Sequence, residues 1–216
     1  METKLSELGF TVGVNCEAIV STLNPDASPN AAPMGLEMTD EQHLQLNIFN
    51  TSSTCRNLKV KKCAVVNLTG NIDVYYRTAL KEANPQGKLP PDWFVKSEAV
   101  EAPKLCCSAA AIEISVNSTH DSGERTMFLC KVEKITAKQQ YPQVYCRAIP
   151  LTIEAITHGT RVKAFIGNPE KQQMVAQLIE TIQNHARIVE RVAPNSQYTA
   201  VFIDLFRLIA QWRSAP

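Results

Sequence analysis

The densest chemistry in the sequence is the run Thr51-Ser52-Ser53-Thr54, followed at once by Arg56 and Asn57. Four hydroxyls, the backbone N–H groups of a helix starting near Cys55 or Arg56, and a guanidinium with fork geometry are what an anionic oxygen cluster needs. The same residues also read as an ordinary Ser/Thr helix cap with a surface arginine, so alone they define a generic anion site. A second constellation is Glu154, His158 and Arg161. Spaced i, i+4 and i+7, they share one helix face and form either an acid/base cluster or an exposed Glu–His pair beside a solvated Arg. Arg147, Thr157 and Thr160 add to the polarity there. Tyr75, Tyr76 and Arg77 could stack on a flat ligand or serve as core. His43, His120 and His185 read as isolated, and no Ser/His/Asp order suggests a hydrolase triad. Cysteines stand at 16, 55, 63, 106, 107, 130 and 146, with no Cys-x-x-Cys and mostly in apolar runs. They read as buried free thiols in a reducing compartment, with no metal site. Cys106 and Cys107, placed in an extended run, read as packing residues on opposite faces.

The elements that must position these residues change character along the chain. Gly13 to Leu23, rich in Val, Ile and Ala, runs into the turn Asn24-Pro25-Asp26-Ala27-Ser28-Pro29-Asn30, and Asn30 to Met38 resumes an extended run, predicting a hairpin. In His43 to Phe49, Leu44, Leu46 and Ile48 alternate with Gln45, Asn47 and Phe49, the period of a strand. The hydroxyl loop and a short helix ending in Lys59, Lys61 and Lys62 follow, then the apolar run Cys63 to Leu68 as a buried strand. Residues 84 to 104, with Pro85, Gly87, Pro90, Pro91 and Pro103, predict a surface loop anchored by Trp93 and Phe94. Cys106 to Asn117 and Arg125 to Lys134 predict two more strands joined at Asp121-Ser122-Gly123. After about Gln140 three helices are expected: one from Pro150 to about Phe165, one opened by Asn168-Pro169-Glu170, and one from Tyr198 to Trp212. The fold class is therefore α+β, an antiparallel β-domain over 1–140 followed by a helical extension over 141–216.

Composition narrows the partners. The 216 residues are 44% hydrophobic and 20% charged, and 22 Lys+Arg against 21 Asp+Glu leave a net charge of +1. That balance gives no electrostatic footprint for nucleic acid or an anionic membrane. The N-terminus begins polar, and no apolar run approaches the ~20 residues of a membrane span, so a cytoplasmic protein is expected.

Four short motifs in order carry a family resemblance: Asn30-Ala31-Ala32-Pro33-Met34-Gly35, then Leu46-Asn47-Ile48-Phe49, then Ser53-Thr54-Cys55-Arg56-Asn57-Leu58, then Ala64-Val65-Val66-Asn67-Leu68-Thr69. Together they resemble the FMN-binding split barrel, the superfamily of flavin reductases and pyridoxamine-phosphate oxidases, and within it the domain of unknown function 447. The resemblance covers about residues 10 to 135, and the subgroup's C-terminal helical extension would match the rest. It implies FMN as cofactor. The isoalloxazine would lie along the backbone of Pro33, Met34 and Gly35, with Phe49 nearby. Thr51, Ser52, Ser53, Thr54, Arg56 and Asn57 would hold the phosphate, and Asn67, Leu68 and Thr69 would flank the ring. Gly35 has its own rationale, since a residue without Cβ lets the backbone approach a flat ligand. The resemblance also implies a homodimer with flavin at the subunit interface, which makes Glu154, His158 and Arg161 candidate substrate or second-subunit contacts. Three functions follow: an FMN-dependent oxidoreductase of flavin reductase-like type with no assigned catalytic residue, a non-catalytic FMN carrier, or a barrel that binds another phosphorylated ligand.

Overall fold

The computed structural model of the protein describes residues 3–138 and 147–214. Cys146 and the expected division at 140/141 lie outside the described residues. The chain divides into two compact units, Met1–Thr69 with Asn84–Tyr141, and Gly70–Ala83 with Pro142–Pro216.

The first unit is a closed antiparallel barrel. Its strands are β1 (Asn15–Leu23), β2 (Pro29–Asp40), β3 (His43–Phe49), β4 (Cys63–Leu68), and the hairpin β7 (Ala110–Ser122) and β8 (Arg125–Ala137). They close in the order β1-β2-β3-β8-β7-β4, with β4 pairing back onto β1. Alternation decides what fills the barrel: Ala18, Val20, Leu36, Leu44, Leu46, Ile48, Ala64, Val66, Ile112, Ile114 and Phe128 form one buried cluster. On β3 the intervening Asn47 and Phe49 face solvent, as a half-buried strand requires. Helix α1 (Ser53–Lys61) adds Cys55 and Leu58 to that cluster.

β1 and β4 do not alternate. Five successive residues of each are buried, and residues 97–105 cover part of the outer face, where Pro103 meets Ser21, Ala102 packs with Cys63 and Val65, and Leu105 meets Asn67. The expected loop over 84–104 is more ordered than its prolines suggest. It contains 3-10 turns and a two-stranded ribbon, β5 (Phe94–Val95) with β6 (Lys104–Leu105), and Trp93 and Phe94 are half-buried within it. Two side chains pin it. The fully buried Glu113 carboxylate accepts from the backbone N–H groups of Glu98, Ala99 and Val100, the outer two at 3.0 and 3.1 Å. Asn67 Oδ1 accepts from Leu105 N at 2.8 Å and Ser108 Oγ at 3.0 Å. Cys106 and Cys107 are not strand residues. They occupy a turn closed by Ser108 N–H donating to the Leu105 carbonyl at 3.2 Å, and both are exposed, so neither is a packing thiol.

The second unit comprises α2 (Ile72–Ala79), α3 (Ala148–Phe165), α4 (Gln172–Val192) and α5 (Gln197–Ser214). The last three match the expected helices. α2 is not among the expected elements, although Asn71 caps it by accepting from Asp73 N and Val74 N, and Ile72, Tyr75, Tyr76 and Ala79 have helical spacing. Tyr75 and Tyr76 are buried, and the Tyr76 hydroxyl donates to Asp204 on α5 at 3.0 Å. α3 and α5 approach closely at Gly159, where a Cβ would stand 2.7 Å from Leu205 Cδ1.

Because the buried Glu113 carboxylate accepts from three backbone N–H groups, Glu113→Gln is expected to cost ~2–4 kcal/mol of barrel stability, the scale of charge-assisted bonds plus a stranded N–H. Urea denaturation monitored by fluorescence checks this, and a loss below ~0.5 kcal/mol, the level of a surface substitution, would show that the loop is held by other contacts.

Candidate functional site

The hydroxyl loop forms the N-terminus of α1, and its side chains divide into two groups. Ser52 is the N-cap: its Oγ accepts from Cys55 N at 3.1 Å. Thr54 and Asn57, expected to face an anion, point inward and are buried. Thr54 Oγ1 accepts from Asn30 Nδ2 at 3.2 Å, and Asn57 Nδ2 donates to Thr22 Oγ1 at 2.9 Å and Asn24 Oδ1 at 3.0 Å. Their polar atoms are committed to the fold, a consequence of helical register that composition does not show.

Outward-facing are Thr51, Ser53 and Arg56. Arg56 is exposed, and its Nη2 donates to Ser53 Oγ at 3.0 Å. Among the described residues no carboxylate lies within salt-bridge distance of its guanidinium, whereas Lys59, one turn on, is paired with Asp121 at 2.9 Å. The N–H groups of Ser53 and Thr54 open the helix, where no preceding turn supplies carbonyls. An unneutralised guanidinium, the Ser53 hydroxyl that it touches and helix N–H groups at one place are the parts that an anion cradle needs. Phe49 adjoins it, since its carbonyl accepts from Ser52 N at 3.0 Å. The Phe49 ring is exposed beneath the Arg125 guanidinium, 3.8 Å from its centroid. Arg125 is a candidate that sequence reading missed; its position opposite Phe49 follows only from strand register.

The other expected barrel residues lie on the two neighbours of β1. Pro33 and Asn67 both pair with Ile19, one from each side, and Met34 and Gly35 follow Pro33 along β2. Pro33, Met34, Gly35, Leu68 and Thr69 are all partly exposed. Asn67 is fully buried, its amide donating to Ile19 O, Ser21 Oγ and Val65 O at 2.9–3.0 Å. Its side chain is a strut within the barrel wall. Gly35 has an internal constraint as well, because a Cβ there would stand 3.1 Å from Asn15 Oδ1.

Glu154, His158 and Arg161 lie on α3 in the helical unit. His158 Nε2 is 3.3 Å from Glu154 Oε1, and Arg161 is exposed. His185, read as isolated, stacks on His158 with centroids 6.2 Å apart, and the Nδ1 atoms of both rings are buried without a partner among the described residues. Helical spacing within α4 gives no hint of this pairing. Among the described residues no group of His, Cys, Asp and Glu is arranged to hold a metal ion, and no helix is long and apolar enough to cross a membrane.

The family described as "Protein of unknown function (DUF447) N-terminal domain" matches residues 16–154. The chain belongs to the DUF447 family. No curated protein matches it. A crystal structure of an FMN-bound DUF447 protein from Methanosarcina mazei is similar at a TM-score of 0.76, with 19% identity over 94% of this chain and 98% of that one. The shared fold is thus the barrel with its helical extension. An NADH:FAD oxidoreductase from Streptomyces globisporus (TM-score 0.48, 16% identity, 58% of this chain and 77% of that one) is more distant. So is an FMN-binding protein from Thermus thermophilus (TM-score 0.47, 16% identity, 58% and 72%).

Burial holds the His158 imidazole below its ordinary value, with Arg161 and His185 acting in the same direction and Glu154 opposing them. The fold therefore favours the neutral ring. Its stabilisation is complete above the unfolded value of ~6.5 and is lost as pH falls below it. The helical unit of the wild type is expected to lose more stability than His158→Gln between about pH 7.5 and about pH 5.5. Urea melts followed by far-ultraviolet circular dichroism test this, and parallel losses in the two proteins would contradict it.

Proposed function

We propose that this DUF447 chain binds FMN, with the phosphate at the N-terminus of α1 and the isoalloxazine along Pro33, Met34 and Gly35. The supporting observation is the cradle: Ser53 Oγ, the opening N–H groups of α1 and the unneutralised Arg56. Its position suits the ligand. Asn30, which touches the buried side of α1 through Thr54, is three residues from Pro33, about 10 Å at the rise of a strand, a span that a ribityl phosphate bridges. The FMN-bound state of the similar Methanosarcina mazei protein supports the same reading. Thr51, Ser53 and Arg56 would contact the phosphate directly, Phe49, Leu68 and Thr69 would border the ligand, and Ser52, Thr54, Asn57 and Asn67 would hold the walls.

Bound FMN supplies two-electron chemistry at its N5. The chain is read as a cytoplasmic oxidoreductase of flavin reductase-like type, a homodimer with flavin between subunits, built from a barrel over 1–140 and a helical extension over 141–216 in which Glu154, His158 and Arg161 are candidates for substrate or second-subunit contacts. A non-catalytic carrier is the second reading. It is favoured by the residues that would border the ring, Pro33, Met34, Gly35, Phe49, Leu68 and Thr69, none of which is titratable.

The purified protein is expected to show flavin absorbance or to acquire it on adding FMN, and Arg56→Ala to weaken FMN binding by ~1.5–3 kcal/mol, the scale of a charge-assisted hydrogen bond. No flavin bound at any accessible concentration would remove the proposal. Anaerobic NADH or NADPH separates its two forms, since bleaching supports the reductase and a persistently oxidised flavin supports the carrier.

A further inference from the structure

We infer that Thr22 is a positioning residue for the phosphate-binding turn of α1, an inference that rests on the FMN reading above. Thr22 is fully buried near the end of β1, and its Oγ1 accepts from two amides, Asn30 Nδ2 on β2 at 3.1 Å and Asn57 Nδ2 on α1 at 2.9 Å. Each amide spends its second hydrogen nearby: Asn30 on Thr54 Oγ1 at 3.2 Å, Asn57 on Asn24 Oδ1 at 3.0 Å. Four N–H bonds thus converge, and the Thr22 hydroxyl accepts two of them, the capacity of its oxygen.

The consequence for the cradle is rotational. Thr54 and Asn57 lie on one face of α1, and Ser53 and Arg56 lie on the adjacent face, joined to each other at 3.0 Å. Cys55 and Leu58 hold the helix to the apolar core, but packing alone tolerates small rotations and slides. The Thr22 knot removes that freedom, because any turn of α1 about its axis strands a buried amide. With the inner face fixed, the hydroxyl of Ser53 and the guanidinium of Arg56 keep a fixed direction. Thr22 acts on the phosphate only through α1 and touches no ligand.

Thr22→Val keeps the shape and removes the acceptor, while Thr22→Ser keeps the acceptor. The test is a fluorescence titration of the full chain with FMN and with riboflavin, which has the same ring and ribityl chain but no phosphate. Thr22→Val is expected to weaken FMN binding about tenfold, the equivalent of ~1.4 kcal/mol, with riboflavin affinity unchanged within about twofold and Thr22→Ser restoring FMN binding. Unchanged FMN affinity in Thr22→Val, or equal losses for FMN and riboflavin, would overturn the inference while leaving the FMN reading in place. A wild type that binds neither would overturn both. Should Thr22→Val fail to fold, Asn57→Ala, which deletes a donor instead of stranding two, takes the same test with the same selective loss expected.

Discussion

The seating of α1 on the barrel depends on one buried polar knot. The apolar interior formed by Val20, Leu46, Ile48, Val66 and Phe128 meets Thr22 and Asn30 on the first hairpin, where α1 brings Thr54 and Asn57 to them. Each hydrogen bond contributes only ~1 kcal/mol net, but an unmade one inside the barrel costs ~1–3 kcal/mol. The knot therefore discriminates among placements of α1 more strongly than it stabilises any one of them. Cys55 and Leu58 supply attraction without direction. The amides supply the direction, and it sends Ser53 and Arg56 outward.

A second set of polar contacts stiffens the opposite face of the same strands. Glu113, Asn67 and Ser21, whose hydroxyl donates to the Pro103 carbonyl at 2.5 Å, each hold part of residues 97–105 against β7, β4 and β1 respectively. Val65 and Cys63 pack beneath with Ala102 and Ala111. β1 is thereby buried on both faces, and it is the strand on which Pro33 and Asn67 meet through Ile19. The strands that would border a flavin are held from inside by apolar packing and from outside by this covering segment.

Much of this is legible in the sequence where the signal is local. The alternation of Leu44, Leu46 and Ile48 locates β3, the run Cys63 to Leu68 locates β4, and the Ser/Thr cluster locates the start of α1. Which of those hydroxyls face a ligand is not legible, because Thr54 and Ser53 differ by one residue and only the helix register on the barrel separates them. Asn57 and Asn67 look like binding amides in the sequence. Their partners, Thr22 and Leu105, lie 35 and 38 residues away in the chain, so their structural role becomes visible only when the strands close. The same holds for His185, whose stacking on His158 joins two helices. α2 escapes sequence reading because eight residues rich in β-branched and aromatic side chains give a weak helical signal despite the Asn71 cap. Cys106 and Cys107 read wrongly as strand residues because apolar composition continues across a turn that only backbone geometry reveals.

The proposed FMN site turns on one location, the outward face of the first turn of α1, where the flavin phosphate would sit. A crystal structure of the protein grown with FMN measures it directly. Phosphate oxygens are expected within hydrogen-bonding distance of Ser53 Oγ, the Ser53 or Thr54 N–H and the Arg56 guanidinium, with Thr54 and Asn57 still bound to Asn30 and Thr22. FMN bound with its phosphate elsewhere, and Arg56 left in solvent, would contradict it.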